Sequence, residues 1–229
     1  MSIAENLTDI RAQIAQLEHA NQRPSGAVRL LAVSKTKPVA DLEAAYEAGQ
    51  RCFGENYVQE AVEKHAALAH LTDIEWHFIG PLQSNKAKAV AQTMDWIHSV
   101  DREKIALRLS ENRPQDMAPL NVLIQVNLSG EASKSGVSLD EIASMAELVN
   151  SLPSLTLRGL MAIPAPQVDE ASQREVYRPL TQAFLELSQR YDHIDTLSIG
   201  MSDDLSAAIA SGSTMVRVGT AIFGARNYG

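Results

Sequence analysis

One lysine stands where an apolar run turns polar. Leu30-Leu31-Ala32-Val33 leads directly into Ser34-Lys35-Thr36-Lys37, and Pro38 closes the stretch. A short apolar run without alternation reads as a strand buried on both faces, as in parallel sheets. Lys35 then falls at the carboxyl end of that strand, where open sheets and barrels place their ligands. Desolvation disfavours an ammonium there and lowers its pKa, which leaves a nucleophilic amine suited to a Schiff base with a carbonyl compound. The stretch taken alone is also compatible with a lysine that reaches past the strand end into water, so the other polar residues must decide.

Two segments near the C-terminus share a strand–glycine–helix pattern. They are Ile199-Gly200-Met201-Ser202-Asp203-Asp204 and Arg217-Val218-Gly219-Thr220-Ala221-Ile222-Phe223-Gly224. In an eightfold barrel the loops after strands seven and eight commonly bind phosphate. The backbone N–H groups of Gly219 and Thr220 and the hydroxyls of Ser202 and Thr220 would be the donors. Taken singly, Ser202 is an ordinary N-cap and Gly219 a turn glycine; their recurrence after the last two strands favours the phosphate. Arg217 interrupts an apolar strand and should project inward, where a buried arginine needs a partner. That partner is either an internal acceptor or the ring nitrogen of a ligand. An amine for an aldehyde, a phosphate cup and an arginine beside them suggest pyridoxal 5'-phosphate (PLP).

Eight strand-like runs, each followed by a helical pattern, can carry such a site. The strands are placed at Leu30–Val33, Arg51–Phe53, Trp76–Ile79, Trp96–Val100, Leu120–Val126, Leu155–Ile163, Thr196–Ile199 and Met215–Val218. The spacing predicts helices beginning at Val39, after Asn56, over Asn85–Thr93, after an Asp101 N-cap, behind a Ser138–Glu141 capping box, through Val176–Tyr191 and over Ser202–Ala210. A stripe of Ile3, Leu7, Ile10, Ile14 and Leu17 adds one helix in front. The expected fold is a single (β/α)8 TIM barrel with an extra N-terminal helix: residues 1–21 form the helix, 29–226 the barrel, and 1–229 one domain. An open doubly wound sheet is the alternative. The strand ends would then bring together Lys35, Asn56, His77, Gly80, Ser99, Asn127, Met161, Ser202, Gly219 and Thr220.

Bulk properties narrow the function. The 229 residues carry a net charge of −8, which argues against a general nucleic-acid or anionic-membrane binder. The one cysteine, Cys52, permits no internal disulfide and fits a reducing compartment. No signal peptide or membrane-length apolar run is evident, so a cytoplasmic protein is expected. No carboxylate pair stands at the strand ends, which disfavours glycosidase chemistry. His65 and His70 are five apart and share no helix face; His77 and His98 could approach, but no carboxylate or thiol joins them at metal spacing. No metal is expected. Ala225-Arg226 follows Gly224 in place of the Lys-Ser of a nucleotide loop.

The stretches LLAVSKTKP, FGENYVQE, WHFIGPLQSNK, GLMAIP, LSIGMSDD and VRVGTAIFGAR together make the chain, from about Leu30 to Arg226, resemble the YggS/PROSC family of pyridoxal-phosphate-binding homeostasis proteins. The resemblance implies a barrel like the N-terminal domain of bacterial alanine racemase, with PLP bound covalently to Lys35. Arg217 would face the pyridine nitrogen, Ser202, Gly219 and Thr220 would hold the phosphate, and Asn56 and His77 would lie near the ring. It implies a non-catalytic protein that buffers PLP, passes it to apo-enzymes, and affects vitamin B6 and amino-acid pools.

An arginine at the ring nitrogen keeps that nitrogen unprotonated and weakens the electron sink that carbanion chemistry needs. Related racemases add a tyrosine base from a second domain of a partner subunit, for which a chain ending at Gly229 leaves no room; a monomeric carrier is expected. Nothing in the spacing of Tyr57 or Tyr177 argues for a substitute. Lys37 and Lys134 are further amines, the second in the loop Ser129–Gly136, where it could receive PLP during transfer or simply be solvated. The alternatives are a weak PLP-dependent racemase or decarboxylase, and a cofactor-free lysine aldolase with Glu55 as its only candidate proton shuttle.

Overall fold

A strand with apolar residues on both faces must be covered on both, and its backbone groups must be paired along both edges. The computed structural model shows how this chain does so. It describes residues 1–132 and 134–226; Ser133, in the loop that carries Lys134, and residues 227–229 of the expected 1–229 domain lie outside the described residues. Strands β1 (Arg29–Val33), β2 (Cys52–Glu55), β3 (Glu75–Phe78), β4 (Trp96–Val100), β5 (Leu120–Gln125), β6 (Leu155–Met161), β7 (Thr196–Ser198) and β8 (Met215–Val218) pair in sequence order. Every pairing is parallel, and β8 returns to β1 to close the barrel. The crossovers are helical: α2 (Val39–Glu47), α3 (Val58–Ala67), α4 (Ala87–Thr93), α5 (Glu103–Asn112), α6 (Ile142–Ser151), α7 (Glu170–Arg190) and α8 (Leu205–Ala210), with α9 (Thr220–Phe223) after the last strand. The fold is the expected (β/α)8 barrel.

The extra helix, α1 (Ile3–Ala20), starts from a Ser2–Glu5 capping box and buries Leu7, Ile10 and Ile14. It packs on α2, α8 and α9. Its Glu18 is buried too, and its carboxylate accepts the N–H groups of Val28 at 2.9 Å and Gly26 at 3.3 Å, which fixes the entry into β1.

Side chains alternate in and out along each strand, so one set in each strand faces the barrel interior. In β1 these are Arg29, Leu31 and Val33; in β2, Cys52 and Gly54; in β3, Glu75 and His77; in β8, Met215 and Arg217. Continuing the alternation past the strand ends brings Lys35, Asn56, Ile79 and Gly219 to the carboxyl-end rim. The outward-facing set packs against the helices in one large apolar core.

Several local expectations shift. Asp101 is not an N-cap: α5 begins after Arg102, and the Asp101 carboxylate accepts the Gly136 N–H at 2.9 Å. Ser202 is not an N-cap either, because α8 begins at Leu205 and residues 201–204 form a turn instead, with Asp204 accepting the Met201 N–H at 2.7 Å. The Ser138–Glu141 capping box is present but opens a single 3₁₀ turn before α6. A similar turn, Ser84–Lys86, precedes α4. No helix among the described residues is long and apolar enough to cross a membrane.

Candidate functional site

The loop after β1 is held from below. Lys64 of α3 is only 4% exposed, and its ammonium donates to the Ser34 carbonyl at 2.7 Å, Glu55 Oε1 at 2.7 Å and Glu60 Oε1 at 2.6 Å. Ser34 Oγ donates to the same Glu55 oxygen at 2.7 Å, and the Thr36 N–H donates to Glu60 at 2.5 Å. Thr36 has φ of +65°, a conformation that costs a β-branched residue on the order of 1–3 kcal/mol and persists only where its surroundings enforce it. Lys35 thus sits between two residues pinned by one buried ion cluster. Burial pushes the Glu55 carboxyl upward, and Lys64 pulls it part of the way back. Lys37 takes a structural part: its ammonium donates to the carbonyls of Gly224 at 3.1 Å and Ala225 at 2.8 Å, tying the first loop to the last.

Lys35, Asn56, Ser202, Arg217, Gly219 and Thr220 line one cavity of about 620 Å³, a size ordinary for a small-molecule site. Ile79, Ile163 and Met201 supply apolar wall, and Asp203 and Arg226 complete its charged lining. Among the described residues of the wall, three cationic side chains face one carboxylate, although the whole chain carries −8. The cavity therefore favours an anion. Asn56 Oδ1 is buried without a hydrogen-bond partner, a polar atom ready for a ligand. The turn that carries it is locked by Gly80: a Cβ there would lie 2.1 Å from the Asn56 carbonyl oxygen. Gly219 packs on β1, where a Cβ would meet the Val33 carbonyl oxygen at 3.2 Å, and its own carbonyl accepts the Ile222 and Phe223 N–H groups that open α9, both at 2.9 Å.

Arg217 is 3% exposed. Its Nη1 donates to the carbonyl and hydroxyl oxygens of Ser198, both at 2.7 Å, and its Nη2 to the Ala162 carbonyl at 2.9 Å. Burial lowers its pKa, and Tyr177 and Asp204 offset this. Tyr177 hydrogen-bonds to Asp204, and burial and that carboxylate push its phenol upward. Tyr57 is 55% exposed and outside the cavity wall.

Of the residues expected to hold the cofactor, His77 alone does not line the cavity; Gly80, Ser99, Asn127 and Met161, expected at the same strand ends, do not line it either. His77 lies one interior layer below Ile79, fully buried, stacked on Trp96 at 5.2 Å between ring centroids. Nor is it without acidic neighbours: the β2–β3 register sets Cys52 beside Glu75, and alternation puts Glu75 on the same face as His77. The expectation that no carboxylate or thiol approaches His77 is therefore corrected. Arg29 Nη2 already sits 2.9 Å from both Cys52 Sγ and Glu75 Oε1, so a guanidinium holds the place of a cation there. His77 and Ile79 share the inward face, and it is the one further inward position before Gly80 that puts Ile79 rather than His77 at the rim. The Glu60–Lys64 half of the cluster is an i,i+4 pair of the kind a sequence shows, whereas Glu55 and Ser34 join it only where β2 and the β1 loop meet α3.

A parallel eightfold barrel with a lysine at the end of its first strand and an anion-favouring cup at its last defines the structural class. The family described as "Alanine racemase, N-terminal domain" matches residues 6–227. The "Pyridoxal phosphate homeostasis protein" of Escherichia coli (strain K12) is 56% identical over 228 residues, covering 99% of this chain and 97% of that one. The protein of the same name from Pseudomonas aeruginosa is 54% identical, over 100% and 97%. PipY of Synechococcus elongatus PCC7942, solved with PLP bound, superposes with a TM-score of 0.84 at 37% identity, covering 97% of this chain and all of PipY. An alanine racemase of Clostridium difficile 630 shares the fold at 15% identity and a TM-score of 0.70, and the chain spans 56% of its length. The chain belongs to the pyridoxal phosphate homeostasis proteins, within the alanine racemase N-terminal domain family.

Proposed function

We propose that this chain binds PLP in the 620 Å³ cavity, with Lys35 as its covalent Schiff-base anchor, and serves PLP and amino-acid homeostasis by holding the cofactor and releasing it to apo-enzymes. The observation that carries this reading is the convergence of Lys35, Arg217 and the Ser202–Gly219–Thr220 cup on one cavity with an unpartnered amide oxygen at Asn56. When bound, PLP supplies an aldehyde that joins a primary amine reversibly. The chain's own residues do the rest. Ser202, Gly219 and Thr220 offer hydroxyl and N–H donors to a phosphate, Arg226 and Lys35 add positive charge, and Arg217 offers a preset guanidinium to a ring nitrogen. Asn56 completes the polar wall.

The same wall supports a holder over a racemase. Moving a proton between two faces of a substrate needs an acid–base group on each. Among the described wall residues Lys35 is the amine base on one side; Tyr177 is engaged by Asp204, and no tyrosine or histidine lines the cavity. On this reading the chain works as a cytoplasmic monomer, and its partners are PLP and, transiently, apo forms of PLP-dependent enzymes.

The test titrates cofactor-stripped protein with PLP, wild type beside Lys35→Ala, then incubates the loaded protein with L-alanine and with an apo PLP enzyme. Saturable one-to-one binding that needs Lys35, reactivation of the apo-enzyme and no D-alanine are expected. Absence of binding overturns the cofactor reading, and steady turnover of the amino acid overturns the holder.

A further inference from the structure

A hydrogen-bonded chain crosses the inside of the barrel beneath the cavity. Arg217 Nη1 donates to Ser198 Oγ at 2.7 Å; Ser198 Oγ lies 3.0 Å from His98 Nδ1; His98 Nε2 lies 2.8 Å from His77 Nδ1; His77 Nε2 lies 2.7 Å from Glu75 Oε1. The four side chains Arg217, Ser198, His98 and His77 are all buried, and they come from β8, β7, β4 and β3. Only Glu75, on the floor beside Arg29, reaches solvent.

Donor and acceptor chemistry fixes the direction of every link. Arginine has no acceptor, so it donates to Ser198. The hydroxyl can accept twice, and it is the carboxylate at the other end, unable to donate, that with two neutral rings leaves the Ser198 proton for His98 Nδ1. His98 Nδ1 then accepts, so its proton sits on Nε2 and points at His77 Nδ1. His77 in turn carries its proton on Nε2 and donates to Glu75. A carboxylate accepts without donating, so the far end closes consistently. Burial works against the Glu75 charge, but His77 and Arg29 outweigh it and bring this carboxyl down to about 2. Burial lowers both histidines, His98 well below its ordinary value, with His77 lowering it further. Both rings are therefore neutral and can serve as one-way links.

We propose that Glu75 is the remote orienting anchor of Arg217, acting through Ser198, His98 and His77. Ser198, His98, His77 and Glu75 are then positioning residues for the guanidinium at the cavity wall. This assigns His77 a part that its distance from the cavity would deny it. The internal chain stands on side chains alone; only its consequence for cofactor retention rests on the function proposed above.

The experiment reads the imidazole nitrogens of His77 and His98 by two-bond ¹H–¹⁵N correlation spectra of cofactor-free protein at neutral pH. Both rings are expected as single Nε2–H tautomers. An imidazolium at His77, or an Nδ1–H tautomer at His98, reverses the chain and overturns the proposal. Glu75→Met should turn His98, two links away, into a mixture of tautomers. Arg29→Met, which breaks the same floor ion pair but leaves the carboxylate, should leave His98 as in wild type. An unchanged His98 in Glu75→Met overturns the anchor role. With PLP loaded, Glu75→Met should release the cofactor several-fold faster than Arg29→Met; equal rates overturn the steering of Arg217. Because the tautomers are read without cofactor, failure to bind PLP would sink the proposed function and leave the chain itself standing.

Discussion

Lys64→Met is the most direct perturbation of the device beneath Lys35. The substitution keeps the stem that packs in α3 and deletes an ammonium that makes three bonds of 2.6–2.7 Å. Glu55 is left with Ser34 Oγ as its partner, in full burial, and its Oε2 is already without one. Removing one member of a buried pair costs about 3–5 kcal/mol, chiefly because the other charge is stranded. For a chain of this size that corresponds to a fall in Tm of about 6–20 °C. The assay is urea unfolding followed by the fluorescence of Trp76 and Trp96.

The pH dependence has a definite sign. Burial already raises the Glu55 carboxyl in the folded state, and loss of Lys64 raises it further. A folded pKa above the unfolded one means that the penalty is complete above the folded value and fades as pH falls towards the unfolded value of about 4.3. The Lys64→Met deficit should therefore shrink on acidification, and Glu55→Gln in the same chain should recover most of it. A deficit below about 1 kcal/mol, one that grows on acidification, or one that Glu55→Gln leaves unchanged would refute this reasoning.

Gly80→Ala places a Cβ 2.1 Å from the Asn56 carbonyl oxygen, so it should displace the β2–α3 turn and lower the melting temperature markedly; thermal unfolding with an unchanged midpoint contradicts the locking role. Glu75, held down at about 2, contributes stability that is present above its unfolded value of about 4.3 and lost as pH falls towards about 2. Urea midpoints of wild type and Glu75→Gln should accordingly converge over that window. Arg217→Lys cannot reproduce a fork that donates from Nη1 and Nη2 to Ser198 and Ala162; equilibrium dialysis should show weaker PLP retention with little change in secondary structure. Thr220→Val should weaken competition by inorganic phosphate for PLP binding, and an unchanged phosphate inhibition constant would remove Thr220 from the cup.

The barrel was legible because a short apolar run followed by a polar turn recurs eight times, and parallel strands buried on both faces have that composition. The rim was legible at Lys35 and at Gly219–Thr220, where a strand, a glycine or polar turn and a helix follow one another within a few residues. His77 falls below the rim because the run Trp76–Ile79 shows where a strand lies but not where the barrel layer ends; His77 and Ile79 both face inward, and Ile79 is the one at the cavity. Ser202 is expected both to open a helix and to offer its hydroxyl to a phosphate; the turn that closes on Asp204 moves the helix start to Leu205 and leaves Ser202 on the cavity wall. Glu60 and Lys64 on α3, and Glu75 and His77 on β3, are neighbours within one element, but the junctions of Lys64 with Glu55 and of His77 with His98, Ser198 and Arg217 join residues that only the closed barrel brings together.

The central claim is that Lys35 anchors PLP. Its test is borohydride reduction of the PLP-loaded protein followed by peptide mapping, which converts a reversible link to a lysine into a stable one and locates it. The account predicts a single modified peptide carrying the adduct on Lys35, absent from Lys35→Ala. An adduct on Lys37, Lys64 or Lys134 in the wild-type protein, or none at all after loading, would contradict it.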